Sequence, residues 1–175
     1  SFDSAMRLIE SVRSIPPADL SPFNLVGLLQ VLPEADRLYT PVRKRSRIES
    51  ARINDAASIF GRTIVQALQR WVSDEFAFWG RCKRAAILGD WMTGATVQSI
   101  EKRYSVPFGG QVQNGDIQRY SDGTRFHLQS AHQIISALLA MDPAKELEFE
   151  SVISQLEFGV PPELTVLMRA PFSLS

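Results

Sequence analysis

Few residue types in this sequence could do covalent chemistry. Cys82 is the single cysteine, and His127 and His132 are the two histidines among 175 residues. That excludes an internal disulfide and any cysteine-rich zinc site, and leaves almost nothing for a conventional metal centre. The histidines are five positions apart, about 140° around a helix, so they cannot share a ligand. Cys82 sits in a basic segment with neither histidine nearby in sequence and reads as a buried thiol. No Ser–His–Asp arrangement stands out. Neither GxxxxGKS/T nor GxGxxG occurs, so no loop is shaped to cradle a nucleotide phosphate. Gly61-Arg62-Thr63 reads as a helix break, Gly109-Gly110 as a loop and Asp74-Glu75 as a solvated pair. The residues therefore predict no catalytic site and no cofactor within this chain.

Charge is the other feature with chemical content. The chain balances 19 basic against 19 acidic residues, which argues against an autonomous polyanion binder of histone type. The balance is uneven along the sequence. Residues 41–84 hold ten basic residues against four acidic ones, and residues 141–175 hold two against six. The tight run Arg43-Lys44-Arg45-Ser46-Arg47 is a candidate for holding phosphates, with Arg43, Lys44 and Arg45 first. The scattered arginines beyond it read as solvated helix faces.

The elements that must position these residues are helices punctuated by proline and glycine. Asp3 or Ser4 is expected to cap a first helix running to about Ile15, which Pro16-Pro17 stops. Ser21-Pro22 pairs an N-cap with proline at the first helical position and opens the apolar run Phe23 to Leu32. Pro33 to Pro41 reads as a connection, with room for a short turn of helix. The proline-free stretch from Ser46 to Met92 should break near Gly61 or Ser73–Asp74. A short helix is expected over Ala95 to Tyr104, ended by Val106-Pro107-Phe108-Gly109-Gly110. Asn114 should cap a long central helix through about Ala140. Asp142-Pro143 starts the next, which ends at Gly159 as its left-handed residue, and Val160-Pro161-Pro162 begins a last turn or two. No stretch alternates with the period of a strand. The expectation is one all-α domain over residues 1–175, a multi-helix bundle with 45% apolar residues to build its core. A chain that opens on Ser1 rather than methionine is expected to be part of a longer protein. With no run of about 18 apolar residues, no membrane partner is expected. The single cysteine suits a reducing compartment, cytoplasmic or nuclear.

The long helix carries the strongest pattern. Ile117, Tyr120, Thr124, Leu128, Ala131, Ile135 and Leu138 recur at helical intervals and form the core-facing stripe. Phe126 falls about 180° from Ile117 and Arg119 about 200°, so both lie on the polar face, two turns apart. Asp122, Gln129, Ser130 and Gln133 share that face. An aromatic ring aligned with an arginine suits stacking by something planar, and nucleobases stack on both groups. The alternative is that this face docks another helix or another protein.

Four segments, taken in order, resemble the C-terminal helical region of Ski2-like superfamily 2 helicases. The branch is that of the archaeal repair helicases and the helicase half of DNA polymerase theta. LVGLLQVLPEADRLYTPVR (Leu25–Arg43) is similar to the family's apolar helix, proline-containing turn and basic strip. RAAILGDWMTGATVQSIEKRYSV (Arg84–Val106) resembles its helix ending in a Trp-centred turn, followed by a helix with isoleucine and tyrosine. NGDIQRYSDGTRFHLQSAHQIISAL (Asn114–Leu138) is similar to its Gly-Asp-Leu/Ile opening and long helix. LEFGVPPELTVL (Leu156–Leu167) is a weaker likeness to its Gly-Val segment.

What the resemblance implies is specific. The long helix would be the family's ratchet helix, which crosses the channel for single-stranded nucleic acid and sets an arginine and a tryptophan against bases. Phe126 occupies the tryptophan place and Arg119 the arginine place. From the wheel and the charge pattern rather than the resemblance, Gln129, Gln133 and the basic run Arg43, Lys44 and Arg45 are added to them as candidate nucleic-acid contacts. Single-stranded DNA is the implied partner, with RNA possible, because stacking tolerates either sugar. ATP and magnesium would act in motor domains of the same parent chain, next to a winged helix, as in DNA repair helicases. This sequence departs from the pattern at Phe126, a smaller ring than tryptophan, and at Gly123-Thr124, where a bend is expected because glycine weakens a helix interior.

Overall fold

The computed structural model describes residues 1–169. Within them the chain is helical: α1 (Phe2–Ser14), α2 (Pro22–Leu28), α3 (Pro33–Asp36), α4 (Arg47–Ser50), α5 (Arg52–Phe60), α6 (Arg62–Ala67), α7 (Glu75–Met92), α8 (Val97–Tyr104), α9 (Asn114–Ser130), α10 (His132–Leu138), α11 (Pro143–Phe158) and α12 (Pro162–Arg169). Single 3-10 turns cover Pro17–Asp19 and Leu29–Val31. Among the described residues the extended pairing is limited to one bridge, Val106 with Gly110. The protein is an all-α bundle.

Local chemistry explains most boundaries. Ser21 caps α2 by accepting the Asn24 N–H at 3.0 Å, with Pro22 in the first turn. Asp142 does the same for α11 through the Lys145 N–H at 2.8 Å. The 46–92 stretch, expected to break near Gly61 or Ser73–Asp74, breaks at both, at Gly61 (φ 92°) and before Asp74, which caps α7. Three expectations shift. Ser1, not Asp3 or Ser4, caps α1, leaving Asp3 in the first turn beside Arg7. Thr96 caps α8, so that helix starts at Val97. Gln113 precedes α9, because the Asp116 carboxylate reaches back to its N–H at 2.9 Å.

The helix expected over 114–140 is helical to Leu138 but interrupted at Ala131 (φ −97°, ψ 10°). No proline or glycine marks that point in the sequence. The chain passes through Gly123 without interruption, and a Cβ added there would meet Leu38 at an ordinary contact distance of 3.5 Å.

The element at the centre is α7. It packs against α2, α4, α5, α8, α9 and α11, and every residue from Arg81 to Gly89 is buried. Three of these are cations, and each has a built receptor. Arg81 donates to both Asp36 carboxylate oxygens (3.0 and 2.7 Å) and to the carbonyls of Leu68, Arg70 and Trp71. Those carbonyls follow α6, so Arg81 acts as a C-terminal cap supplied by another helix. Lys83 and Glu49 are both 0% exposed and pair at 2.8 Å, with the Pro41 carbonyl as a second acceptor at 2.5 Å. Arg84 reaches the Gln30 side chain and carbonyl, Thr40 and Asp36. Arg52 is buried as well, over the Tyr104 ring at 4.8 Å and paired with Asp55 at 3.1 Å. Reading Arg52, Arg81 and Arg84 as solvated faces is therefore corrected. The reason is that distant segments bring acceptors to them: Asp36, Thr40 and the 68–71 carbonyls to the arginines of α7, and Asp55 with the Arg103 carbonyl to Arg52.

The far end of α7 is fixed differently. The Trp91 indole N–H donates to the Leu156 carbonyl at 2.8 Å, and Gln155 donates to the Met92 carbonyl at 3.0 Å. Gly159 ends α11 in the left-handed conformation (φ 61°), where a Cβ would come within 2.6 Å of the Trp91 ring. Backbone and packing both require glycine there.

Lys83→Met leaves Glu49 charged, buried and without its ammonium partner. Urea unfolding should show a loss of about 3–5 kcal/mol, and a loss below about 1 kcal/mol would contradict the assignment. Two phenols give a pH signature. Burial first, then the hydrogen bond to Asp90, raises the Tyr104 pKa, and burial pushes Tyr120 up to about 12. The folded state holds both protons more tightly than the unfolded one. The stability they confer is complete below the ordinary phenol pKa of about 10 and is lost as pH rises beyond it. In an alkaline titration of the three tyrosines, two phenolates should form only as helical circular dichroism disappears.

Candidate nucleic-acid interface

The orientation of α9 is set from its inner side. Ile117, Tyr120, Leu128 and, beyond the interruption, Ile135 are fully buried, as the apolar stripe predicts. Polar bonds then fix the rotation. The Tyr120 hydroxyl donates to the Tyr39 carbonyl at 2.6 Å, Gln30 donates to the Thr124 hydroxyl at 3.1 Å, and the Ser121 hydroxyl donates to the Leu156 carbonyl. Three fixed points on one face leave the opposite face no freedom to turn inward.

That opposite face carries Phe126 and Arg119. Phe126 is 64% exposed, its ring meeting His127 edge-on at 5.8 Å. The Arg119 side chain is 57% exposed and pairs with Asp116 at 2.5 Å. Seven residues of helix separate the two, about 10 Å along the axis. Asp116 is itself buried and also accepts the Gln113 N–H, so it holds Arg119 in place while more than half of the arginine side chain stays exposed to a second anion. Gln129 is exposed on the last turn of α9. Gln133 is exposed too, but it belongs to α10, beyond Ala131.

The basic run divides. Arg43 donates to the Pro107 carbonyl at 2.9 Å and lies over the Phe108 ring at 5.5 Å. Lys44 points elsewhere, over Phe76 near the start of α7 at 5.2 Å. Arg45 is exposed in the turn between them and α4. The Phe76 side borders a cleft of about 480 Å³ that reaches Trp71, Arg81 and Arg84. The structure thus brings Arg43 toward the segment entering α9 and turns Lys44 to the other side of the strap 36–44.

Two aromatic side chains near this face were not singled out from sequence. Tyr39 and Phe108 are both exposed and border one groove with Gln113 and Asp116. Their signal was available, since each is a large ring in a proline- or glycine-bounded connection where no helical stripe needs it.

The side chains that could do covalent chemistry stand apart from this face and from one another. The Cys82 thiol is buried and its pKa is pushed up to about 12 by that burial, far from a reactive thiolate. His132 contacts Glu146 at 2.7 Å, whereas burial first lowers the pKa of His127, opposed by Glu34, on another face of the bundle. Among the described residues no group of three or more His, Cys, Asp or Glu side chains could hold a metal ion, and no helix is long and apolar enough to cross a membrane. No protein-family model matches the chain, and neither a curated protein nor a solved structure matches it.

Proposed function

We propose that this chain is the strand-contacting helical domain of an ATP-dependent DNA helicase, with α9 as the helix that steps along single-stranded DNA. Phe126 stacks on a base, and Arg119 holds a phosphate or stacks on a neighbouring base about two turns away. Gln129 extends the contact, and Arg43 adds charge beside the entry to α9. ATP hydrolysis belongs, on this reading, to motor domains of the same parent chain. The observation that carries the proposal is the placement of Phe126. A large ring stands 64% exposed on a helix whose rotation is locked by three hydrogen bonds. It also stands at the position where the resemblance requires a base-stacking aromatic. Stacking does not distinguish the sugar, so an RNA substrate uses the same residues.

A second reading, a helical protein-interaction module, has its own observation. Val166 and Leu167 on α12 are exposed together with Leu164. The two readings part on salt. Phosphate contacts lose affinity steeply with added salt, whereas an apolar protein interface does not.

Anisotropy of labelled single-stranded DNA, measured at about 50 and 200 mM salt, tests the proposal. Salt-sensitive binding is expected. Phe126→Ala should weaken it by about 1–3 kcal/mol without changing the salt slope. Arg119→Ala should weaken it and lower the slope by about one counterion. Both side chains are exposed, so the variants should keep the parent's stability within about 0.5 kcal/mol. Binding indifferent to both substitutions would remove α9 from the interface, and no binding at low salt would sink the proposal.

A further inference from the structure

We infer that the track for single-stranded nucleic acid continues beyond Arg119 into the open groove beside the start of α9, where Phe108 and Tyr39 form a second base-stacking site. The inference rests on the reading of α9 given above.

The groove encloses about 730 Å³ and is lined by Tyr39, Pro107, Phe108, Gln111, Gln113 and Asp116. Phe108 is 89% exposed at the tip of a tight turn. That turn is closed by the two backbone hydrogen bonds between Val106 and Gly110, at 2.9 and 3.0 Å. Its backbone is left-handed (φ 62°), a conformation that a bulky side chain adopts only at a steric cost. Glycine would fit this turn better, and the ring buries almost nothing in return. A cost carried without a packing gain points to a use for the ring in the solvent. Tyr39 is similarly rooted. Its carbonyl is held by the Tyr120 hydroxyl while its own ring stays exposed. Both rings therefore project from fixed backbone, so ordering them on binding costs little.

Charge selects the occupant. Arg43 lies over the Phe108 ring, with its guanidinium tied to the Pro107 carbonyl. At the other side Asp116 lines the groove, but it is already committed to the Gln113 N–H and to Arg119. A cation thus stands behind the lining on each side, Arg43 against Phe108 and Arg119 against Asp116, with ring faces and the amide donors of Gln111 and Gln113 between them. Cations that track a backbone, interleaved with aromatic faces, match single-stranded nucleic acid. On this path a base stacks on Phe108, the phosphates pass Arg43 and Arg119, and the strand then follows α9 to Phe126.

The test uses an oligothymidine of about twelve nucleotides carrying a single 5-iodouracil, photocrosslinked to the protein and mapped by mass spectrometry. Moving the label along the strand should move the adduct from Phe126 to Phe108 or Tyr39. In parallel, Phe108→Gly should weaken binding of the same oligonucleotide about tenfold. Thermal stability should hold or rise, because the left-handed backbone is relieved. Tyr39→Ala should also weaken binding. Weakening by Phe126→Ala with none by Phe108→Gly, and adducts confined to α9, overturns the groove and leaves the reading of α9 standing. Loss of affinity in none of the variants overturns both.

Discussion

The fold depends on three cations that face inward from one helix. Arg81, Lys83 and Arg84 lie within the fully buried stretch of α7. A charge cannot stay in such a place unless it is paired and hydrogen-bonded. That requirement dictates the path of the rest of the chain. Asp36 must be at hand for Arg81 and Arg84, so α3 ends against α7. Glu49 must meet Lys83, so α4 is pulled in from the surface, and the Pro41 carbonyl comes with it. The carbonyls that follow α6 turn toward Arg81, and Trp71 adopts a left-handed backbone (φ 57°) as its own carbonyl joins them. Apolar burial supplies the driving force for the bundle, but these pairings specify which segment lies where.

The same network reaches the candidate interface. Arg84 bonds the oxygen of the Gln30 side chain, and the nitrogen of that side chain bonds the Thr124 hydroxyl on α9. A buried cation on the central helix thus helps to set the rotation of the helix that exposes Phe126. The strap 36–44 serves both sides of this relation. Its inner groups receive Arg81 and Arg84, whereas its carbonyl at Tyr39 anchors Tyr120, and Arg43 at its end leans on Phe108. The inner and outer faces of α9 are therefore parts of one construction, and disturbance of the core polar cluster should be felt at the exposed ring.

What was legible in the sequence follows from the range of the forces involved. Caps and stops act within a few residues, so Ser21-Pro22, Asp142-Pro143, Gly61 and Gly159 could be read directly. The stripe on α9 was legible for the same reason, since helical periodicity is local. The outward position of Phe126 and Arg119 followed from it. The buried cations were not legible, because burial of Lys83 is decided by Glu49, 34 residues away. A dense run of basic residues in sequence looks like surface until such a partner is placed. The interruption at Ala131 was not legible, because no proline or glycine marks it. Phe108 was invisible to periodicity because it serves no helix.

The buried pairs also change what the charge pattern means for binding. Of the ten cations in residues 41–84, Arg52, Arg81, Lys83 and Arg84 are spent inside, leaving six at or near the surface against the carboxylates of Asp55, Asp74 and Glu75. Arg43 and Lys44 then point to opposite sides of the strap. The long-range field that would steer a polyanion is weaker than the sequence suggests. On the reading proposed above, a strand is not held by charge alone, and the contribution of this domain comes from short-range stacking on fixed rings, with a few guanidinium groups setting the register. Such contacts are strong once made and tolerant of base identity, yet each is easily broken singly. Those are the properties a moving contact needs. A surface that gripped the phosphates as firmly as the core grips Arg81 would resist the movement that stepping along a strand demands.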